Sequence, residues 1–183
     1  MNTWLIALVT LATAGAVFLL VRVVLASRFF LKFRGERLVV CPENKHTAAV
    51  AVAAGPLAAK TVVGKPKLRL QECSRWPEKE ECGQECLSQI EENPGGCLVW
   101  NVVNAWYYGK NCVYCGKPFG EINWHDHRPA LSDAEGNTVQ WTEVPPDTLP
   151  DVFATHWPVC WDCHIAELFR QEHPELVTNR GKH

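Results

Sequence analysis

Cys112–Val113–Tyr114–Cys115–Gly116–Lys117 and Cys160–Trp161–Asp162–Cys163–His164 are the two stretches that decide how this chain is read. A two-residue spacer lets both sulfurs of a Cys-x-x-Cys pair face one ion. The two pairs together therefore offer Cys112, Cys115, Cys160 and Cys163 as four thiolates for one tetrahedral zinc. Gly116 and Lys117 after the first pair predict a tight knuckle whose backbone amides turn towards the sulfurs. The second pair is predicted to open a helix over residues 164–172, with Ile165, Leu168 and Phe169 on its buried face and Pro174 as its stop. The positive end of that helix favours thiolate over thiol.

Upstream, residues 3–21 contain no charged side chain, and apart from Arg22 the apolar run continues to Ala26. A membrane-spanning helix needs about 20 such residues. A cleavable signal peptide would want a basic residue before the run and a small-residue site after it. Residues 1–4 carry no Lys or Arg, and Ser27–Arg28–Phe29–Phe30 closes the run. An uncleaved anchor over residues 1–27 is the expectation. Arg22, Arg28, Lys32, Arg34 and Arg37 all follow the run, opposed only by Glu36. The positive-inside rule then places the C-terminal part in the cytoplasm, with residues 28–37 as a basic juxtamembrane segment touching anionic lipid heads. Thiols stay reduced there, so clustered cysteines read as metal ligands. From Leu38 onward there are 13 Lys and Arg against 19 Asp and Glu. No basic stripe suits a nucleic-acid partner, and none is expected.

Residues 38–110 form a cysteine-containing α+β region. Short strands are expected over residues 37–42, 47–54, 61–63 and 68–70, with Gly55–Pro56 as a break. A helix is expected over residues 77–92, with Pro77 in its first turn and Pro94–Gly95–Gly96 as its stop. Residues 98–108 predict an amphipathic helix with Leu98, Val102, Ala105 and Trp106 on one face. Cys82 and Cys86, four apart, would share a helix face. With Cys41 and Cys73 they make a candidate second metal site, leaving Cys97 over. Were the region to face outward, disulfides would form among these five cysteines instead.

A knuckle, then strands, then a second Cys pair at a helix start resembles the treble-clef and zinc-ribbon fingers. The likeness runs over about residues 111–173, within a C-terminal module of residues 111–183, and rests on Cys112, Cys115–Gly116–Lys117, Cys160 and Cys163. It implies a structural zinc. Cys160–Trp161–Asp162–Cys163–His164 also resembles the attachment signature of c-type haem. That resemblance implies thioether links at Cys160 and Cys163, His164 as proximal ligand, and a membrane-anchored monohaem electron carrier. The lone Met is the initiator, so the second axial ligand would be His125, His127, His156 or His173, and Cys112 and Cys115 would have no role. Trp124–His125–Asp126–His127–Arg128–Pro129, between the two pairs, resembles the HNH nucleases, which share the treble clef. This implies His127 as general base, with Asp126 and His164 on a catalytic metal. In the finger reading, His125, His127 and His164 line the finger or serve as accessory ligands.

The expected object is an α+β protein with one N-terminal transmembrane helix and a cysteine-rich domain closed by a treble-clef-like zinc module. No nucleophile–base pair, phosphate-cradling glycine loop or paired-carboxylate pattern stands out. The expected role is structural or interaction-based: a single-pass subunit or assembly factor working beside a protein partner in a membrane complex, with enzymatic activity left open.

Overall fold

Apolar, helix-compatible residues without an internal Pro make the N-terminal run helical, and in the computed structural model helix α1 spans Thr3–Phe33. The structure describes residues 3–60, 67–76, 82–120, 122 and 127–176. The strand expected at residues 61–63, the start of the helix expected from Pro77, and His125 and Asp126 lie outside these residues. At 1.5 Å per residue, the 31 residues of α1 extend about 46 Å, more than the ~30 Å of a bilayer core. The helix is long and apolar enough to cross a membrane, and none of its most apolar 18-residue window is buried. Its last turns do different work. Phe33 is buried in the first core and Phe29 packs beside it, so the basic segment after the apolar run continues α1 straight into the folded domain.

Two small antiparallel sheets follow, giving an α+β architecture. The first has the order β1-β2-β3, from Glu36–Val40, Thr47–Val52 and Leu70–Cys73. Its register pairs Leu38 with Ala49 and Val50 with Cys73. Val39, Ala48, Val50, Val52 and Leu70 turn inward to meet Phe33 and Ile90. The strand expected over residues 47–54 ends at Val52, and Gly55–Pro56, expected as a break, lie within a short helix, Ala54–Lys60 (α2). Proline is tolerated in a first helical turn, where its missing N–H has no intrahelical partner to lose. Leu57 then gives the short helix an anchor in the core.

Arg37 is buried despite its membership of the juxtamembrane basic cluster. Its Nη2 donates to the Lys32 carbonyl at the end of α1 at 2.6 Å. Its guanidinium lies 6.0 Å from the Phe33 ring. A cation suits the negative end of a helix. Arg37 thus ties the end of α1 to the sheet, and its side chain is buried and not on the surface with the other basic residues of the segment.

The second sheet, order β5-β4-β6, uses Ala130–Ser132 (β4), Thr138–Gln140 (β5) and Trp157–Val159 (β6). Helix α3 (Leu87–Glu92) and helix α4 (Val99–Tyr107) precede it, and α5 (Leu149–Thr155) and α6 (Trp161–Glu172) flank β6. Helix α4 is where the sequence placed it, but its buried face is Val99, Val103 and Tyr107, one position round from the expected stripe. Trp106 is only half-buried, stacked on Phe153 with ring centroids 4.6 Å apart. The apolar residues of α4 cover most of its circumference, so tertiary partners choose the seam. The sequence from Thr138 to Val144 reads as one strand, but β5 stops at Gln140, where a 3₁₀ turn begins at Trp141.

Candidate metal centre

The first Cys pair sits in a closed knuckle. The Cys112 amide donates to the Lys117 carbonyl at 2.9 Å, and the Gly116 amide to the Cys112 carbonyl at 2.9 Å. Gly116 takes φ +71, the left-handed turn that glycine adopts without penalty. Space for a Cβ exists there, so the constraint is purely conformational. We expect Gly116→Ala to cost about 1–2 kcal/mol. Where folding and metal binding are coupled, that appears as roughly ten-fold weaker metal affinity in a chelator competition. Unchanged affinity would show that the knuckle does not need this turn.

The second pair comes to the knuckle through β6. The Val113 amide donates to the Pro158 carbonyl at 3.0 Å, which fixes the knuckle against the strand leading into Cys160. Cys160 is the N-cap of α6, and Cys163 lies in its first turn. The result is a group of four: the sulfurs of Cys112, Cys115, Cys160 and Cys163 all lie within 4.8 Å of one another. Cys115 and Cys160 are 3.7 Å apart, far too long for a disulfide. A tetrahedron of sulfurs about 2.3 Å from a central ion has edges of about 3.8 Å. The donor set and the spacing both suit one tetrahedral ion.

The electrostatics agree with that geometry. Burial works against ionising Cys112, but the amides of Cys160, Cys115 and Tyr114 point at its sulfur and hold it at about 7. The Cys160 amide lies 3.3 Å from that sulfur. Cys163 is pushed up, first by burial and then by the neighbouring Cys160, Cys115 and Cys112. Cys160 is raised chiefly by burial as well. Four thiolates this close repel one another, and a cation between them removes that conflict.

Among the described residues this group is made of cysteines alone. His164 is 2% exposed, and its Nδ1 is 2.8 Å from the Thr138 hydroxyl on β5. It pins α6 to the second sheet, and burial lowers its pKa. We expect His164→Ala to leave metal content unchanged and to cost about 2–3 kcal/mol in denaturant unfolding, from the lost packing and the orphaned hydroxyl. Loss of metal together with stability would instead make His164 a ligand. His127 is exposed and lies 6.2 Å from the Trp161 ring, at a cavity shared with Cys160, Trp161 and Asp162.

The expected buried face of α6 is corrected. Ile165 and Phe169 are exposed, and His164 is the residue buried. Thr138 was missed as a partner because β4 was not expected. The available signal was the turn set Asp133, Gly136 and Asn137 between Ala130–Leu131 and Val139. In that turn the Asn137 amide donates to the Asp133 carboxylate at 2.8 Å.

The upstream cysteines are arranged differently. Cys82 is in irregular chain and Cys86 is the N-cap of α3, so the two do not share a helix face. With Cys41 and Cys73 they nonetheless line one cavity of about 350 Å³. Cys97 lies elsewhere, its thiol donating to the Gln89 carbonyl at 3.6 Å.

No protein-family model, curated protein or solved structure matches this chain.

Proposed function

We propose that this is a membrane-anchored zinc protein in which Cys112, Cys115, Cys160 and Cys163 hold a structural zinc, and that it acts as an interaction subunit or assembly factor of a membrane complex. The observation carrying this reading is the four-sulfur group. Structural zinc is closed by four protein ligands, whereas catalytic zinc keeps a position for water or substrate. A complete set of thiolates leaves no such position. The treble-clef likeness is supported by the knuckle, the intervening strands and the helix that starts beside Cys160. The same convergence counts against haem at Cys160 and Cys163, because a porphyrin would have to part them from Cys112 and Cys115.

The interaction role draws on the surface of the module. Val113, Trp157, Ile165 and Phe169 are all exposed apolar residues on the elements that build the centre. Positive charge at Arg22, Arg28, Lys32 and Arg34 supports placing the folded domain in the cytoplasm.

Elemental analysis of the detergent-purified chain tests the reading. Zinc that falls by one equivalent in Cys112→Ser/Cys115→Ser supports it. Stoichiometric iron with a haem absorption band would replace it with an electron carrier. Metal-dependent DNA cutting lost in His127→Ala would replace it with a nuclease.

A further inference from the structure

Of the five cysteines outside the four-sulfur group, four converge on a single cavity. They reach it from three separate parts of the chain. Cys41 directly follows β1, Cys73 is the last residue of β3, and Cys82 and Cys86 lead into α3. The order β1-β2-β3 sets the first two on the strands flanking β2. Cys86 is buried in the first core with Cys73 packed against it. Cysteine is a common core residue, so one or two buried thiols need no explanation. Four thiols lining one 350 Å³ cavity that also borders Arg75 and Glu43 are a different matter.

We propose that Cys41, Cys73, Cys82 and Cys86 form a second thiolate site, which takes a thiophilic metal centre. Its donors are chemically those of the first site, and it also has an outer partner. Arg75 Nη1 lies 2.8 Å from the Cys41 sulfur and 3.5 Å from a Glu43 carboxylate oxygen. A cationic N–H donor at sulfur stabilises a thiolate and, in metal sites, orients the ligand. The sulfurs are set more widely than in the first site. Among the described residues, only the first group brings three or more ligand atoms within 4.8 Å of one another. A single ion must therefore draw the four together, and the segment from Cys82 to Cys86 is the means. Cys82, Gly83 and Gln84 belong to no helix or strand, and Gln84 already sits at φ +56. A polynuclear iron–sulfur centre, also held by four cysteines, has a wider footprint and needs less closure.

The test uses the full chain, purified in detergent under reducing, oxygen-free conditions. Metal and acid-labile sulfide are counted per chain in the wild type, in Cys82→Ser/Cys86→Ser and in Cys112→Ser/Cys115→Ser. The expected result is two metal centres in the wild type, with each double variant losing its own. Zinc alone identifies a single ion at the second site. Iron with sulfide, lost only in Cys82→Ser/Cys86→Ser, identifies a cluster. Both outcomes uphold the site. Metal content unchanged in Cys82→Ser/Cys86→Ser overturns it and leaves the first centre standing. Should that variant fail to fold, alkylation of the wild type decides. Cys41, Cys73, Cys82 and Cys86 are expected to resist iodoacetamide until a chelator is added. Labelling of these four without chelator, or recovery of disulfides among them, overturns the proposal.

Discussion

Stripping the metal from the Cys112, Cys115, Cys160 and Cys163 group is expected to unfold β4, β5, β6 and α6 together. The core beside the four cysteines is thin: Cys112, Ala130 and Val159 are its buried members, and Cys112 is itself one of the four. A tetrathiolate zinc site contributes roughly 10–16 kcal/mol to folding a small metal domain. That is as large as the ~5–15 kcal/mol net stability of a typical domain. Chelation, or Cys112→Ser/Cys160→Ser, should therefore abolish amide protection in β4, β6 and α6 in hydrogen exchange. The ladder between β1 and β2 should stay protected, because it rests on Phe33, Val39, Val50 and Ile90. Acid should act in the same direction. Each ligand must lose its proton to bind, so affinity falls as pH falls and the same amides open. Protection that survives complete metal removal would show that packing alone holds the second sheet.

The second large effect is expected at Tyr107. Its side chain is 0% exposed, and its hydroxyl donates to the Ala130 carbonyl on the central strand β4 at 2.8 Å. Its ring meets Phe119 at 4.9 Å and Trp106 at 4.8 Å. Tyr107 thus joins α4 to the strand beside the metal centre. Tyr107→Ala should cost about 3–5 kcal/mol through the cavity it leaves. Tyr107→Phe should cost about 1–2 kcal/mol, the consequence of a buried carbonyl losing its donor. Burial pushes the phenol far above its usual range, so neither effect should vary with pH between 6 and 9. Chemical denaturation of the two variants checks the ranking. A Tyr107→Phe cost equal to that of Tyr107→Ala would assign the whole effect to the hydrogen bond rather than to packing.

Features with a local cause could be read from the chain. A long, largely apolar and Pro-free run makes α1, and alternation with a Pro stop makes β1. The two-residue spacing within each Cys pair marks the candidate donors, because a spacer of that length lets both sulfurs face one ion. Where several faces of one element are apolar, local pattern was not enough. The seam of α4 turned by one position, and Ile165 and Phe169 of α6 stayed outside while His164 went in. Strands of three residues, such as β4 and β6, carry too little periodicity to be seen at all. They exist because pairing partners elsewhere in the chain, as far apart as Ala130 and Val159, complete their ladders.

The long apolar N-terminal helix, the α+β class and the four cysteines of the candidate centre were legible in the chain, since each follows from neighbours within a few positions. Tertiary structure alone decided that the pairs, 45 residues apart at Cys115 and Cys160, share one tetrahedral space. It also decided that His164 serves the fold through Thr138, that Arg37 caps the end of α1 from within, and that Cys41, Cys73, Cys82 and Cys86 face one cavity. Those outcomes depend on which surfaces exclude water together, and chain-local chemistry does not encode that.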